Sequence, residues 1–315
     1  MSIEFTLLTN RLYIKLPLGL FGWLGWLLLL GVIMFLLWRW REYNRRLGGV
    51  QWGLLFLLAI LAPLASLFVI LRLPAGEALS LPWVIEETRG PALVLFAALP
   101  WVLAAGLLGT LPAALVGLVS GFTLALADTH SPFTPLEFTL LAVCISAMVR
   151  QRYRTPFYRF ERHPLAAVTI AALAYPLVYL FGAACMAEGD LAIRLDYAIT
   201  HFLANSAAVA GMLFVAGAVG ETIAMAFPAE WGGSGALRPS PVERRLPTRF
   251  LYSLSPLAAI LVVSLTVADW VVAGNAARRM LRDSMSIVAQ SAVENVPFFI
   301  ESGQNLIHQF AADSR

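Results

Sequence analysis

Charged residues are scarce in this sequence. Asp, Glu, Lys and Arg together make up 13% of the 315 residues, whereas about a quarter is usual in a soluble domain. Hydrophobic residues account for 59%, and the mean hydropathy is +0.77. This composition excludes an ordinary soluble domain and predicts an integral protein of the cell (inner or plasma) membrane.

The motifs of enzymes and cofactor-binding proteins are also missing. There is no Gly-rich phosphate loop, no HExxH, no nucleophile elbow and no CxxCH. The two cysteines, Cys144 and Cys185, stand apart in apolar runs and are interpreted as small buried side chains. We therefore expect no catalytic activity, no cofactor and no bound metal. The basic residues occupy short loops beside apolar runs, which argues against a nucleic-acid partner.

The segment 150–163 carries the strongest signal for orientation in the membrane. It lies between two apolar runs and contains one acid and five arginines, which are Arg150, Arg152, Arg154, Arg159 and Arg162. Cytoplasmic loops are enriched in Lys and Arg because positive charge resists translocation. The segment is therefore predicted to be cytoplasmic, and contact with anionic lipid headgroups is a plausible second role for its arginines.

The apolar runs predict an all-α polytopic protein with about eight transmembrane helices. The predicted spans are 16–38, 50–71, two short helices within 91–127, 136–149, 164–187, 197–226 and 250–272. Gly109-Thr110-Leu111-Pro112 is expected to form the tight turn between the two short helices. Gly117 and Gly121 then form a small-residue face for close helix packing. The interior loops contain 13 Lys and Arg and the exterior loops three, which places both termini outside.

The sequence divides into a transmembrane domain, 1–272, and a C-terminal amphipathic helix, 273–315. Apolar residues recur in the tail at spacings of three and four, which is typical of a helical seam. They are Leu281, Met285, Val288, Ala292, Val296 and Phe299, followed after an expected interruption at Pro297 by Leu306 and Phe310. Such a seam at 281–310 is expected to pack on a partner chain (a second copy or another membrane subunit), on a lipid surface, or on a continuation of the chain.

The tail sequence RRMLRDSMSIVAQSAVENVPFFIESGQNLI resembles the long first helix of extracytoplasmic Cache-type sensor domains. The preceding apolar region, including the run from Pro112 to Gly121, resembles the multi-span N-terminal regions of bacterial sensor kinases of the histidine-kinase type. The resemblance implies the N-terminal portion of a longer receptor, in which the last span leads into a ligand-binding domain. The sequence ends before any Cache pocket, HAMP, kinase or cyclase segment, so those activities are not assigned to it.

Polar side chains within or beside the spans are the candidate functional residues, because ionisable groups at membrane depth are costly. One set is associated with the span 197–226 and consists of Asp196, His201, Asn205 and Glu221. A ligand or proton site and simple interhelical hydrogen bonding both explain this set. For Glu221, a salt bridge to Arg244 or Arg245 is a further alternative.

A second set lies at an exterior turn and consists of Asp128, His130 and Glu137. These residue types can bind a metal ion or a substrate. Asp128 also suits a turn, and Glu137 suits the first turn of a helix, where its charge favours the helix dipole. Both interpretations remain open for this set.

Three functions are compatible with these observations. The leading hypothesis is a sensory module that relays a cue through the last span into the tail helix. The alternatives are a non-catalytic accessory subunit of a larger membrane complex and a small-molecule transporter built around the broken hairpin at 109–121.

Overall fold

The computed structural model describes residues 2–7, 12–17, 19–43, 47–73, 90–232, 236–240 and 246–313. The chain divides into two units, Met1–Leu246 and Pro247–Arg315. The helices of the first unit are α1 (Leu20–Arg39), α2 (Gly49–Leu67), α3 (Leu99–Leu107), α4 (Thr110–Leu124), α5 (Thr134–Arg150), α6 (Pro156–Glu161), α7 (Pro164–Met186) and α8 (Leu191–Ala226). A π-helical turn, Ala125–Thr129, extends α4. A single helix, α9 (Leu246–Asp313), forms the described part of the second unit.

The described chain is predominantly helical, as predicted. Five segments are long and apolar enough to cross a bilayer, namely α1, α2, α4 with its π-helical turn, α7 and α8. The nine residues of α3 extend for only about 14 Å, less than half of a bilayer core of about 30 Å. The short helix predicted at the start of 91–127 is therefore not among the five segments that are long enough to cross a bilayer. Eight spans remain a prediction.

Three short strands form an antiparallel sheet at one end of the bundle, which we call the sheet end. They are β1 (Ser2–Thr6), β2 (Phe68–Arg72) and β3 (Ala92–Val94), in the order β1-β2-β3. Ser2 pairs with Arg72, and Ile70 pairs with Val94. The prediction of a purely helical chain is therefore wrong at this end. The helix predicted for 50–71 stops at Leu67 because the next residues make backbone hydrogen bonds to distant strands instead.

The hairpin of α3 and α4 lies at the centre of the first unit. Nine of the fifteen residues of α4 are buried, whereas α1 and α2 bury four residues each. The two short helices are joined at Gly109, as predicted, and its φ of 130° is a conformation that favours glycine. The indole of Trp101 is fully buried and packs on Phe138 of α5, with ring centroids 6.0 Å apart.

Gly117 and Gly121 lie where α4 approaches α5. A Cβ added at Gly117 would be 3.0 Å from the Phe138 carbonyl oxygen, and one at Gly121 would be 2.7 Å from the Pro135 Cα. The small-residue face predicted from the sequence therefore packs on the backbone of the following helix. This close approach requires glycine in particular at Gly121, because the atoms it meets belong to the backbone of α5.

The last two helices differ from their predicted limits. α8 begins at Leu191 rather than at 197, with Asp190 at its N-cap, so the predicted loop 188–196 is shorter than expected. α9 is continuous through Pro297, and the predicted interruption there is wrong. Proline removes one backbone hydrogen bond, but the remaining hydrogen bonds on either side sustain the helix. The last predicted span and the tail are thus parts of one helix of 68 residues, about 102 Å long.

Candidate functional site

Glu137 is an acidic side chain buried inside the helical bundle. It lies in the first turn of α5 and is only 5% exposed. Its Oε2 accepts a hydrogen bond of 2.9 Å from the Tyr175 hydroxyl group in α7. Its Oε1 lies against Gly182, where an added Cβ would be 2.5 Å away. Gly182 and Tyr175 precede Met186, the last residue of α7, by 4 and 11 residues, so the carboxyl group lies roughly 6 to 17 Å from that end of the helix at 1.5 Å per residue.

A row of polar side chains continues from Glu137 toward the sheet end of α8. The rings of Tyr175 and Tyr179 are 6.2 Å apart, and the Tyr179 hydroxyl group accepts a hydrogen bond of 3.0 Å from Asn205. Asn205 also donates to the carbonyl oxygen of His201, which is half-buried. We call Glu137, Tyr175, Tyr179, Asn205 and His201 the polar row. It connects α5, α7 and α8 through side-chain contacts.

The polar row joins residues from both predicted sets. His201 and Asn205 lie together on one face of α8, as their spacing of four predicts, and Asp196 lies about one turn closer to the sheet end. Glu137 was grouped with the exterior turn but belongs to the polar row. The two tyrosines were missed, although two tyrosines four residues apart within an apolar span are a recognisable signal for a polar face.

The carboxyl group of Glu137 has a neutral hydrogen-bonding partner. Burying a polar group costs free energy unless its hydrogen bonds are satisfied, and ionisable groups at membrane depth are functional candidates by default. Here the hydroxyl group of Tyr175 supplies that hydrogen bond, and Gly182 leaves room for the carboxyl oxygen. The arrangement joins α5 to α7 through one buried hydrogen bond between side chains.

Replacing Tyr175 with Phe should destabilise the protein by about 1–2 kcal/mol, because a buried oxygen of Glu137 loses its donor. Unfolding of the purified protein in mixed micelles, followed by tryptophan fluorescence, measures the change. Tyr13→Phe is the matched control, since Tyr13 is 40% exposed and a surface change of this kind costs less than about 0.5 kcal/mol. Equal stability of the two variants would show that the hydroxyl group of Tyr175 contributes nothing.

Glu221 does not belong to the polar row. It lies 25 residues after Asp196 on α8, about 38 Å farther along the helix axis. Its Oε1 accepts a hydrogen bond of 2.9 Å from His163, and its Oε2 accepts one of 3.3 Å from the Leu165 amide. Glu221 therefore satisfies an amide at the start of α7. Arg244 and Arg245, its predicted partners, lie outside the described residues.

The turn that was predicted to be exterior does not assemble the predicted ligand set. Asp128 and Arg72 form an ion pair of 2.5 Å in which both side chains are less than 10% exposed. His130 stacks on Tyr13 and hydrogen-bonds its carbonyl oxygen at 3.0 Å. Within the described ranges, no three His, Cys, Asp or Glu side chains are placed to hold a metal ion. Asp128, His130 and Glu137 are separated because Glu137 turns inward to α7.

The arginine segment 150–163 lies at the opposite end of the bundle, which we call the basic end. Arg150 is buried and donates a hydrogen bond of 3.0 Å to the Gly106 carbonyl oxygen, near the end of α3. The backbone of Arg238 hydrogen-bonds Arg152 and Arg154, so residues 236–240 lie along this segment. Burial lowers the pKa of the Arg162 guanidinium group, and the nearby charges of Arg152 and Arg159 lower it further. The Arg150 side chain and the backbone of this segment are thus held by defined hydrogen bonds.

Comparisons of the chain with protein-family models, with curated proteins and with solved structures found no match.

Proposed function

We propose that this chain is the membrane-embedded module of a signalling receptor, in which a change within the helical bundle is passed through α9 to an exterior tail. The observation that carries the proposal is the continuity of α9. One helix contains both the last predicted span, 250–272, and the whole of the predicted tail up to Asp313.

The length of α9 suits a relay. A bilayer core accounts for about 20 helical residues, so roughly 48 of the 68 residues extend beyond it. A continuous helix moves as one element, because displacing one part displaces the hydrogen-bonded turns that follow. Side chains of the predicted seam are exposed along this extension, and they include Met285, Val288, Val296, Phe299, Leu306 and Phe310. A second copy of the chain is the proposed partner for this seam.

The polar row supports the proposal as the element that changes state. It links three helices by hydrogen bonds between side chains rather than by apolar packing alone. A buried hydrogen-bond network of this kind is stable when every polar group has a partner, and its free energy rises steeply when some partners are lost. This favours discrete arrangements of the helices over a continuous range. A cue that breaks the bond between Glu137 and Tyr175 would shift α5 relative to α7.

A role as an accessory subunit is the second candidate. The exposed apolar side chains of α9 favour it, because they would also suit docking onto a different membrane protein. The two functions differ in whether α9 responds to a change in the bundle.

The test uses the full chain in lipid nanodiscs and measures amide hydrogen exchange along α9. Gly182→Ala places a Cβ 2.5 Å from the Glu137 carboxyl oxygen, so that this carboxyl group must shift and its hydrogen bond with Tyr175 is perturbed. Gly31→Ala is the matched control, since nothing lies within 4 Å of the added atom. We expect Gly182→Ala to change exchange in α9 several-fold and Gly31→Ala to leave it unchanged.

A folded Gly182→Ala protein with altered exchange in α5 and α7 but normal exchange in α9 would refute the relay. Co-purification of another membrane protein with the chain, lost when Val288 and Phe299 are replaced by Ser, would then support the accessory role.

A further inference from the structure

The loop at the basic end is held by its own polar contacts. Gln151 donates a hydrogen bond to the Tyr158 carbonyl oxygen, and Arg162 donates one to the Tyr153 carbonyl oxygen. The hydroxyl group of Thr155 hydrogen-bonds Ser240 at 2.7 Å. The guanidinium groups in this loop are therefore carried on a backbone of fixed shape, as a binding site requires.

Three arginines in this loop lie close enough to repel one another. The charges of Arg152 and Arg159 both lower the pKa of Arg162. The Nε atoms of Arg152 and Arg162 are buried and make no hydrogen bond within the described structure. The loop itself therefore leaves a donor of each guanidinium group unsatisfied, which is costly for a buried group.

Three acidic groups near this loop, among the residues that the structure describes, are engaged or buried. Glu221 binds His163, and Glu42 lies 3.6 Å from the Arg238 guanidinium group. Glu161 is buried, and burial raises its pKa to about 7. The Glu161 carboxyl group is therefore only partly ionised at neutral pH. The cluster of Arg152, Arg159 and Arg162 retains an excess of positive charge.

Apolar side chains flank the same cluster. Phe157 and Phe160 on α6 are each 61% exposed, and Leu165 at the start of α7 is 43% exposed. α6 leads within two residues into α7, which is long and apolar enough to cross a bilayer. Aromatic side chains beside the end of such a helix suit the headgroup region of a membrane.

We propose that Arg152, Arg159 and Arg162, together with Phe157 and Phe160, bind the phosphate headgroup of an anionic membrane lipid. Guanidinium groups match phosphate geometry because they donate paired hydrogen bonds. The exposed phenyl rings distinguish a lipid from a soluble phosphate, since they contact acyl chains that a soluble ion lacks. This site is independent of the relay through α9.

The test supplies the purified full chain with equal amounts of phosphatidylglycerol and phosphatidylcholine and counts retained lipids by native mass spectrometry. We expect the unmodified protein to prefer phosphatidylglycerol. Each arginine removed should reduce that preference about fivefold, so that Arg152→Gln with Arg162→Gln reduces it roughly 25-fold. Arg194→Gln, which changes an arginine at the sheet end, is the matched control and should retain the full preference.

A second pair of measurements distinguishes the lipid from a soluble anion. Phe157→Ser with Phe160→Ser should weaken retention of phosphatidylglycerol, and excess inorganic phosphate should not displace the lipid. Displacement by inorganic phosphate without any effect of the Phe changes would overturn the proposal in favour of a soluble phosphate.

Arg159→Gln provides a variant that leaves the fold intact, because Arg159 is exposed. This single substitution should lower the preference for phosphatidylglycerol over phosphatidylcholine about fivefold. Unchanged retention in the folded Arg159→Gln protein would overturn the proposal even if the double arginine variant did not fold.

Discussion

Asp128→Asn should destabilise the protein by about 3–5 kcal/mol. The substitution leaves the Arg72 guanidinium group buried opposite a neutral amide, and breaking a buried ion pair from one side exposes the full cost of the remaining charge. Arg72 also donates to the Gly90 carbonyl oxygen, so its side chain cannot leave without loosening the chain beside β3. Unfolding in mixed micelles, followed by tryptophan fluorescence, measures the change.

An exposed ion pair provides the control for this prediction. Lys15 and Glu188 lie 3.5 Å apart with side chains 35% and 39% exposed, and Glu188→Gln should cost less than about 1 kcal/mol. Replacing both buried partners, as Arg72→Met with Asp128→Leu, should restore most of the lost stability because no unpaired charge remains. A cost for Asp128→Asn no larger than that for Glu188→Gln would show that the buried pair is not a stabilising contact.

Gly121→Leu should destabilise the protein by about 3 kcal/mol, near the upper end of the range for overpacked sites. A Cβ at this position would be 2.7 Å from the Pro135 Cα and 2.9 Å from the Thr134 carbonyl oxygen. Both are backbone atoms of α5, so rotation of a side chain cannot relieve the clash. The helices α4 and α5 would have to separate.

Gly31→Leu is the corresponding control on α1. Gly31 is exposed and has no atom within 4 Å of an added Cβ, so the larger side chain meets no obstacle. Its substitution should leave stability unchanged or raise it by up to about 1 kcal/mol, because glycine is unfavourable inside a helix. The same unfolding measurement applies, and equal effects at the two positions would contradict the close packing of α4 on α5.

Hydropathy and local signals were sufficient to predict the limits of a helix where it begins at a proline or ends at a charged residue. The span predicted at 164–187 agrees with α7, which begins at Pro164, and the span predicted at 136–149 agrees with α5, which ends at Arg150. The turn at Gly109 was also predicted, because glycine and proline interrupt an otherwise uniform apolar run. These signals lie within a few residues of the feature they predict.

Features that depend on distant partners were not predicted. β2 is apolar enough to continue α2, and only its pairing with β1 and β3 makes it a strand. The start of α8 was missed because Arg194 and Asp196 suggested a loop, although helices tolerate charges where the chain reaches the interface.

In the candidate site, too, only the features with a local signal in the sequence were predicted. The spacing of His201 and Asn205 predicts a shared helical face, and the structure has them on one. Glu137 was assigned to the turn that it follows in the sequence. Its carboxyl group instead accepts a hydrogen bond from Tyr175, 38 residues later, and no local pattern in the sequence predicts a contact over that separation.

The pairing of β1 with β2 limits when the sheet can form during synthesis of the chain. Ser2 pairs with Arg72, so β1 leaves the ribosome about 70 residues before its partner strand exists. At synthesis rates of about 5–20 residues per second, β1 waits roughly 4 to 14 s. During that interval α1 and α2, which are both long and apolar enough to cross a bilayer, are synthesised, because β1 precedes the first helix and β2 follows the second. Closure of the sheet therefore requires the start of α1 and the end of α2 to lie at the same end of the bundle.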